Sequence, residues 1–115
     1  MTIEFAKGDS KLTAGEFYTD KPKTFCEAAD LILDEMRETL WKKQRDYGPG
    51  NISDFGELGV LVRANDKMAR LKNLHKAGIA PSNESVEDSW LDLANYAVIA
   101  LMLRRGIWGL PVEGK

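Results

Sequence analysis

Asp88, Asp92 and Asn95 follow one another at spacings of four and three, so any helix that carries them projects all three from one face. Asp92 and Asn95 stand at or within residues 91–103, a stretch otherwise apolar nearly all round. Burying a carboxylate costs several kcal/mol unless a cation or hydrogen-bond donors compensate, so something must face Asp92. A divalent metal is one answer: Mg²⁺ takes hard oxygen ligands, typically one or two carboxylates together with substrate phosphates. A salt bridge from Asp92 to an arginine of another helix is the other, with Asp88 serving as a helix cap.

A second strip, Arg63, Asp66 and Arg70, shares a face by the same spacing, with Lys67 beside it. It lies away from the densest apolar arc of its segment. By itself it is a solvated ladder of opposite charges, which contributes little to stability. Set opposite Asp92, it offers one carboxylate for a metal and two guanidinium groups for phosphate oxygens, which arginine grips with a planar two-pronged fork. A third strip, Lys43, Gln44 and Tyr47, runs up to the turn Gly48, Pro49, Gly50, Asn51. Gln44 and Tyr47 continue the seam of Met36 and Leu40, where an amide and a phenol can read and stack on a base or can simply close a bundle. The turn is not a phosphate-cradling GxxxxGK[ST] loop. His75 falls near a helix end and reads as a cap or surface residue. Glu57 points to the side of its helix opposite Asp66.

These strips need three long helices to position them. Thr24 followed by Glu27 is a capping box, and apolar spacing through Ala29, Leu33, Met36 and Leu40 predicts a helix over residues 25–47. Gly48, Pro49 and Gly50 stop it. Ser53 or Asp54 opens a second helix that runs to about His75, with Leu58, Leu61, Val62, Met68 and Leu71 clustered on one side and a Gly78 to Pro81 exit. Ser85 with Asp88 caps a third helix that runs to Arg105, before Gly106. The expected fold is all-α: an antiparallel bundle over residues 24–106, after an irregular leader over 1–23 with a short extended piece at Thr2 to Ala6, and before a tail over 107–115. Trp108 and Leu110 are expected to dock that tail onto the bundle or a second chain. A helix apolar on every side must be covered on every side, so the third helix predicts a homo-oligomer, dimer or tetramer, with Val98, Leu101 or Met102 in the contact.

The 115 residues suffice for one domain, and 43% hydrophobic with 30% charged residues is globular composition. A formal net charge of −2 recruits neither nucleic acid nor an anionic membrane, so direct DNA binding and membrane association are not expected. The single Cys26 excludes an internal disulfide and reads as core filler. Residues 1–11 hold no apolar run of signal-peptide length, and no stretch is long enough to span a bilayer, which predicts a cytoplasmic protein.

The strips Lys43 to Gly48 (KQRDYG), Arg63 to Leu71 (RANDKMARL) and Glu84 to Ala97 (ESVEDSWLDLANYA) resemble the phage and bacterial nucleotide-modification-associated domain family. That family is similar to the all-α nucleoside triphosphate pyrophosphohydrolases, the MazG and dimeric dUTPase group. The resemblance covers residues 31–105 and implies a MazG-like helical oligomer, in the host cytoplasm if phage-encoded, whose carboxylates hold Mg²⁺, or Mn²⁺, against a nucleotide's phosphates. Carried over residue by residue, it makes Asp66, Asp88 and Asp92 the catalytic metal ligands. Lys43, Gln44, Tyr47, Arg63, Lys67, Arg70 and Asn95 become the nucleotide-binding set. The EExxE cluster that the pyrophosphohydrolases carry on the earlier helix is represented on the second helix by Asp66 alone. A literal acidic match, Asp34, Glu35 and Glu38, stands on the first helix, further upstream of Asp88 than the family spacing. The expected reaction is Mg²⁺-dependent hydrolysis of a nucleoside triphosphate to monophosphate and pyrophosphate. The alternatives are a protein that binds or sequesters a nucleotide, such as a cyclic signalling nucleotide, without cleaving it, and a structural helical oligomer.

Overall fold

The computed structural model describes residues 18–113, so the extended piece expected at Thr2 to Ala6 and most of the leader lie outside the described residues. Four helices follow in order: α1 Phe25–Tyr47, α2 Gly50–Ser53, α3 Gly56–Ala77 and α4 Val86–Arg104, with no strand among the described residues.

The capping chemistry sets the ends. The Thr24 hydroxyl accepts the Glu27 amide at 3.1 Å, while the Glu27 carboxylate accepts the amide of Lys23 at 2.8 Å, one residue earlier than a reciprocal box would place it. At Ser85 the box is complete: its hydroxyl accepts the Asp88 amide at 3.1 Å and the Asp88 carboxylate accepts the Ser85 amide at 3.3 Å. Gly78 closes α3 in the left-handed conformation, φ 64° and ψ 36°, with its amide on the Leu74 carbonyl. The long second helix starts later than the Ser53 or Asp54 signal suggests. Those residues belong to the one-turn helix α2 and the turn after it, and α3 begins at Gly56 behind Phe55, which makes no side-chain cap.

Helices α3 and α4 form the main packed pair, and α1 adds to it chiefly through α4. The pair is antiparallel: Arg104 at the end of α4 meets Glu57 at the start of α3, and Ser89 near the start of α4 meets Arg70. One apolar cluster joins Ile52, Val60, Ile99 and Trp108, with Leu40 of α1, Tyr96 and Met102 packed against it. A second joins Leu71, Leu74 and Val86, with Leu93 at its edge. Trp108 brings the tail back over the bundle as expected, whereas Leu110 stays exposed.

The structure corrects the sequence reading of the second helix. Of the residues expected to form its core face only Leu71 is buried, while Leu58, Leu61, Val62 and Met68 are exposed; the packed face joins Leu71 to Val60 and Leu74. Arg63, Lys67 and Arg70 fall at helical spacing among those three, which turns them inward toward α4. Counting apolar residues alone picks the wrong arc, because α4 receives a charged seam. Cys26 is also exposed, at the first turn of α1, rather than filling a core. No residue of α1 is fully buried. No described helix is long and apolar enough to cross a membrane.

Candidate functional site

Asp92 sits at the meeting point of three helices. Its position on α4 is one turn beyond the buried Ser89 and one before the buried Asn95 and half-buried Tyr96, so the face that packs inward is forced to bury a carboxylate. Two ammonium groups answer it: Lys43 of α1 lies 2.5 Å from Oδ1 and Lys67 of α3 lies 3.0 Å from Oδ2. Burial by itself would raise the Asp92 carboxyl, yet the hydrogen bonds and charge of Lys43 and Lys67 hold it below the ordinary carboxylate range. Of the two readings of Asp92, the salt bridge to another helix is the one observed, with lysines in place of the expected arginine.

Lys67 also donates to Glu84, in the turn before α4. Burial disfavours its charge, but the Glu84 and Asp92 partners outweigh that and raise its pKa. Glu84 is lowered by the Lys67 hydrogen bond against the opposing effect of burial, with help from the Ser89 hydroxyl, which donates to Oε1 at 3.1 Å. Arg70 extends the network without reaching the cleft: it donates to Ser89 Oγ at 2.8 Å and to the carbonyls of Glu84 and Ser85. Its role is to pin the start of α4 against α3.

A cleft of about 350 Å³ opens between α1, α3, α4 and the tail. Six of the seven expected nucleotide-binding residues line it: Lys43, Gln44, Tyr47, Arg63, Lys67 and Asn95. The seventh, Arg70, is held in the network just described. The cleft walls further include Glu84, Asn51, Ile52, Tyr96 and Trp108, which sequence reasoning did not single out. Tyr96 and Glu84 were within the quoted strips, and their spacing from Asp92 was the available signal. The sequence predicts that Trp108 docks the tail onto the bundle, but nothing in it makes that ring a wall of this cleft.

The expected metal triad is not assembled in the chain. Asp66 is exposed and does not line the cleft, Asp88 is engaged in the α4 cap, and only Asp92 reaches the site. Among the described residues no three His, Cys, Asp or Glu side chains are grouped to hold a metal ion. The acidic match on α1 does not supply one either: Asp34, Glu35 and Glu38 are exposed, and Asp34 pairs with Arg37 at 2.6 Å. A dication at Asp92 and Glu84 would have to expel the Lys67 ammonium from between them. The donors that this chain brings together therefore do not fit Mg²⁺, and no chemical step is derived through it.

Two cleft groups are uncommitted. The Asn95 side chain is buried, and both its Oδ1 and its Nδ2 lack a hydrogen-bond partner. Arg63 is half-buried in the lining and, among the described residues, engages no carboxylate or carbonyl, unlike Lys43 and Lys67. A buried amide with neither its donor nor its acceptor satisfied costs about 1 to 3 kcal/mol, which a ligand matching both would recover. The site thus offers an amide edge, a free guanidinium and the aromatic rings of Tyr47, Tyr96 and Trp108 around a space of small-ligand size.

No curated protein and no solved structure matches the chain. The family model described as nucleotide modification associated domain 1 matches residues 43–103, which span the end of α1, all of α3 and nearly all of α4, and hence every cleft residue except Leu40 and Trp108. By that match the chain belongs to the nucleotide modification associated domain 1 family.

Proposed function

We propose that this protein binds a nucleotide in the cleft between α1, α3 and α4, and that within one chain it holds the nucleotide without cleaving it. The observation that carries the reading is the Asn95 amide, buried and unpartnered in both of its polar atoms, on the wall of a cleft that also presents Arg63. An amide donor beside an amide acceptor complements the donor and acceptor edge of a base, as asparagine does when it pairs with adenine. Arginine complements a phosphoryl group, and rings complement the face of a base. The family's association with nucleotide modification agrees with that ligand class.

We place the protein in phage or bacterial nucleotide metabolism and expect it to work as a homo-oligomer, a MazG-like bundle completed by a second copy. Among the described residues seventeen large apolar side chains stand exposed against seven that are buried, and the exposed set includes Leu58, Leu61, Val62 and Met68 on one arc of α3 that a second copy would cover.

The deciding experiment incubates pure protein with a nucleotide panel and Mg²⁺, then separates bound and free species by chromatography. Recovery of the nucleotide intact in the bound fraction is the expected result. Release of monophosphate with pyrophosphate would instead establish the pyrophosphohydrolase activity that the resemblance implies. Absence of any bound or altered nucleotide would leave a structural oligomer.

A further inference from the structure

The cleft's charge is nearly balanced before any ligand enters. Lys43, Arg63 and Lys67 contribute three positive charges to its lining and Glu84 and Asp92 two negative ones, a balance of +1. The distribution is uneven. Both lysines already contact Asp92, Lys67 contacts Glu84 as well, and among the described residues Arg63 is the lining cation without a carboxylate.

Resting on the nucleotide-binding reading, we infer that the ligand this chain accepts by itself carries a single phosphoryl group, that is, a nucleoside monophosphate rather than a triphosphate. Arg63 lies one helical turn before Lys67 on α3. Because α3 and α4 run antiparallel, that turn carries Arg63 away from Asp92 toward the level of Asn95 and Tyr96. The free guanidinium and the free amide therefore stand at one level of the cleft, and the closed set of Lys43, Lys67, Asp92 and Glu84 stands a turn away. One phosphoryl group on Arg63 leaves a base within reach of Asn95 and the rings. A second and third would extend into the closed set, where every cation is already bound to a carboxylate.

Taking a lysine from Asp92 would strand a buried negative charge, and leaving it there would bring phosphate oxygens against Asp92 and Glu84. A triphosphate, with a charge of about −4 at neutral pH, is repelled by that pair in a way that a monophosphate confined to Arg63 is not. The cleft volume of about 350 Å³, at the low end for small-molecule sites, is in keeping with the smaller ligand.

The test is calorimetric titration of the full chain with the four deoxynucleoside 5′-monophosphates and their triphosphates, first in EDTA and then in excess Mg²⁺. In EDTA at least one monophosphate is expected to bind ten-fold or more tightly than its triphosphate. Mg²⁺, by neutralising the triphosphate, should narrow that gap while leaving the monophosphate unchanged. Arg63→Ala should weaken the monophosphate at least ten-fold and Arg63→Lys less, with thermal melts confirming that both variants fold. A triphosphate that binds as tightly as its monophosphate in EDTA overturns this inference and leaves the nucleotide-binding reading intact. Failure of every nucleotide to bind, under both conditions, overturns the two together.

Discussion

The Trp108 indole donates to the Pro49 carbonyl at 3.1 Å, linking the tail to the turn between α1 and α2. The ring is buried against Ile52, Val60 and Ile99, and it also forms a wall of the cleft. The hydrogen bond therefore ties core packing and cleft shape to a single side chain.

Trp108→Ala is expected to destabilise the fold by about 3 to 5 kcal/mol, the usual cost of emptying a large aromatic site. Trp108→Phe, which keeps a ring but loses the donor, should cost about 1 to 2 kcal/mol. Urea denaturation followed by circular dichroism reads both. A Trp108→Ala chain as stable as the parent would show that the tail does not contribute to the core.

Asn95→Leu should separate stability from binding. Replacing an unpartnered buried amide with an apolar side chain of similar volume removes a desolvation penalty of about 1 to 3 kcal/mol, so the unliganded protein should melt several degrees higher. The same variant should lose nucleotide binding, seen as loss of the ligand-induced rise in melting temperature. A melting temperature that falls on this substitution would mean that Asn95 is satisfied within the fold.

The pH dependence of stability has a definite sign at each end. Asp92 and Glu84 titrate below their ordinary values, so their contribution is present in full above the unfolded carboxylate range, about pH 4, and is lost as pH falls through their lowered native values. Lys67 titrates above its ordinary value, so its contribution is present below about pH 10 and is lost as pH rises through the raised native value. The stability gap between the parent and Asp92→Asn, about 2 kcal/mol at neutral pH by the worth of charged hydrogen bonds, should shrink progressively as pH falls below about 4, the ordinary carboxylate range. Urea midpoints measured from pH 2.5 to 7 would refute this if the gap stays constant.

How much of the site was legible follows from these residues. Asp92 and Asn95 stood out because a polar group in an apolar helical stretch calls for a partner, and both line the cleft, Asp92 paired with two lysines and Asn95 unpartnered. Lys43, Gln44, Tyr47, Arg63 and Lys67 were readable as strips at helical spacing. Their convergence was not readable, because it depends on α3 turning its charged face inward, against the direction its apolar arc suggests. The resemblance grouped Asp88 and Asp66 with Asp92, yet Asp88 forms the Ser85 cap that its spacing also predicts, and Asp66 faces out. Helix ends were the most legible feature, since caps are local chemistry: the first helix has the bounds its residues predict. The start of α3 was not, because Phe55 offers no capping side chain to announce it.

The outward arc of α3 is expected to meet a second copy. Leu58, Leu61, Val62 and Met68 are exposed together, at spacings that share one face. Leu61→Glu should shift a dimer or tetramer toward monomer at micromolar concentration, read by light scattering. A parent chain that is monomeric at high concentration would remove the arc as a subunit contact.

Helix α1 has no fully buried residue, and among the described residues its ties to the core and cleft include Leu40 on the core, Lys43 on Asp92 and Arg45 on Glu113. An element so lightly anchored should open as its own cooperative unit, with amide protons that exchange faster than those of α3 and α4. Because α1 supplies one whole side of the cleft, a nucleotide can be held only by the docked fraction of molecules, and the observed affinity is the intrinsic affinity scaled by that fraction. Whatever clamps α1, whether an oligomeric partner or the nucleotide itself, thereby sets how tightly the protein holds its ligand.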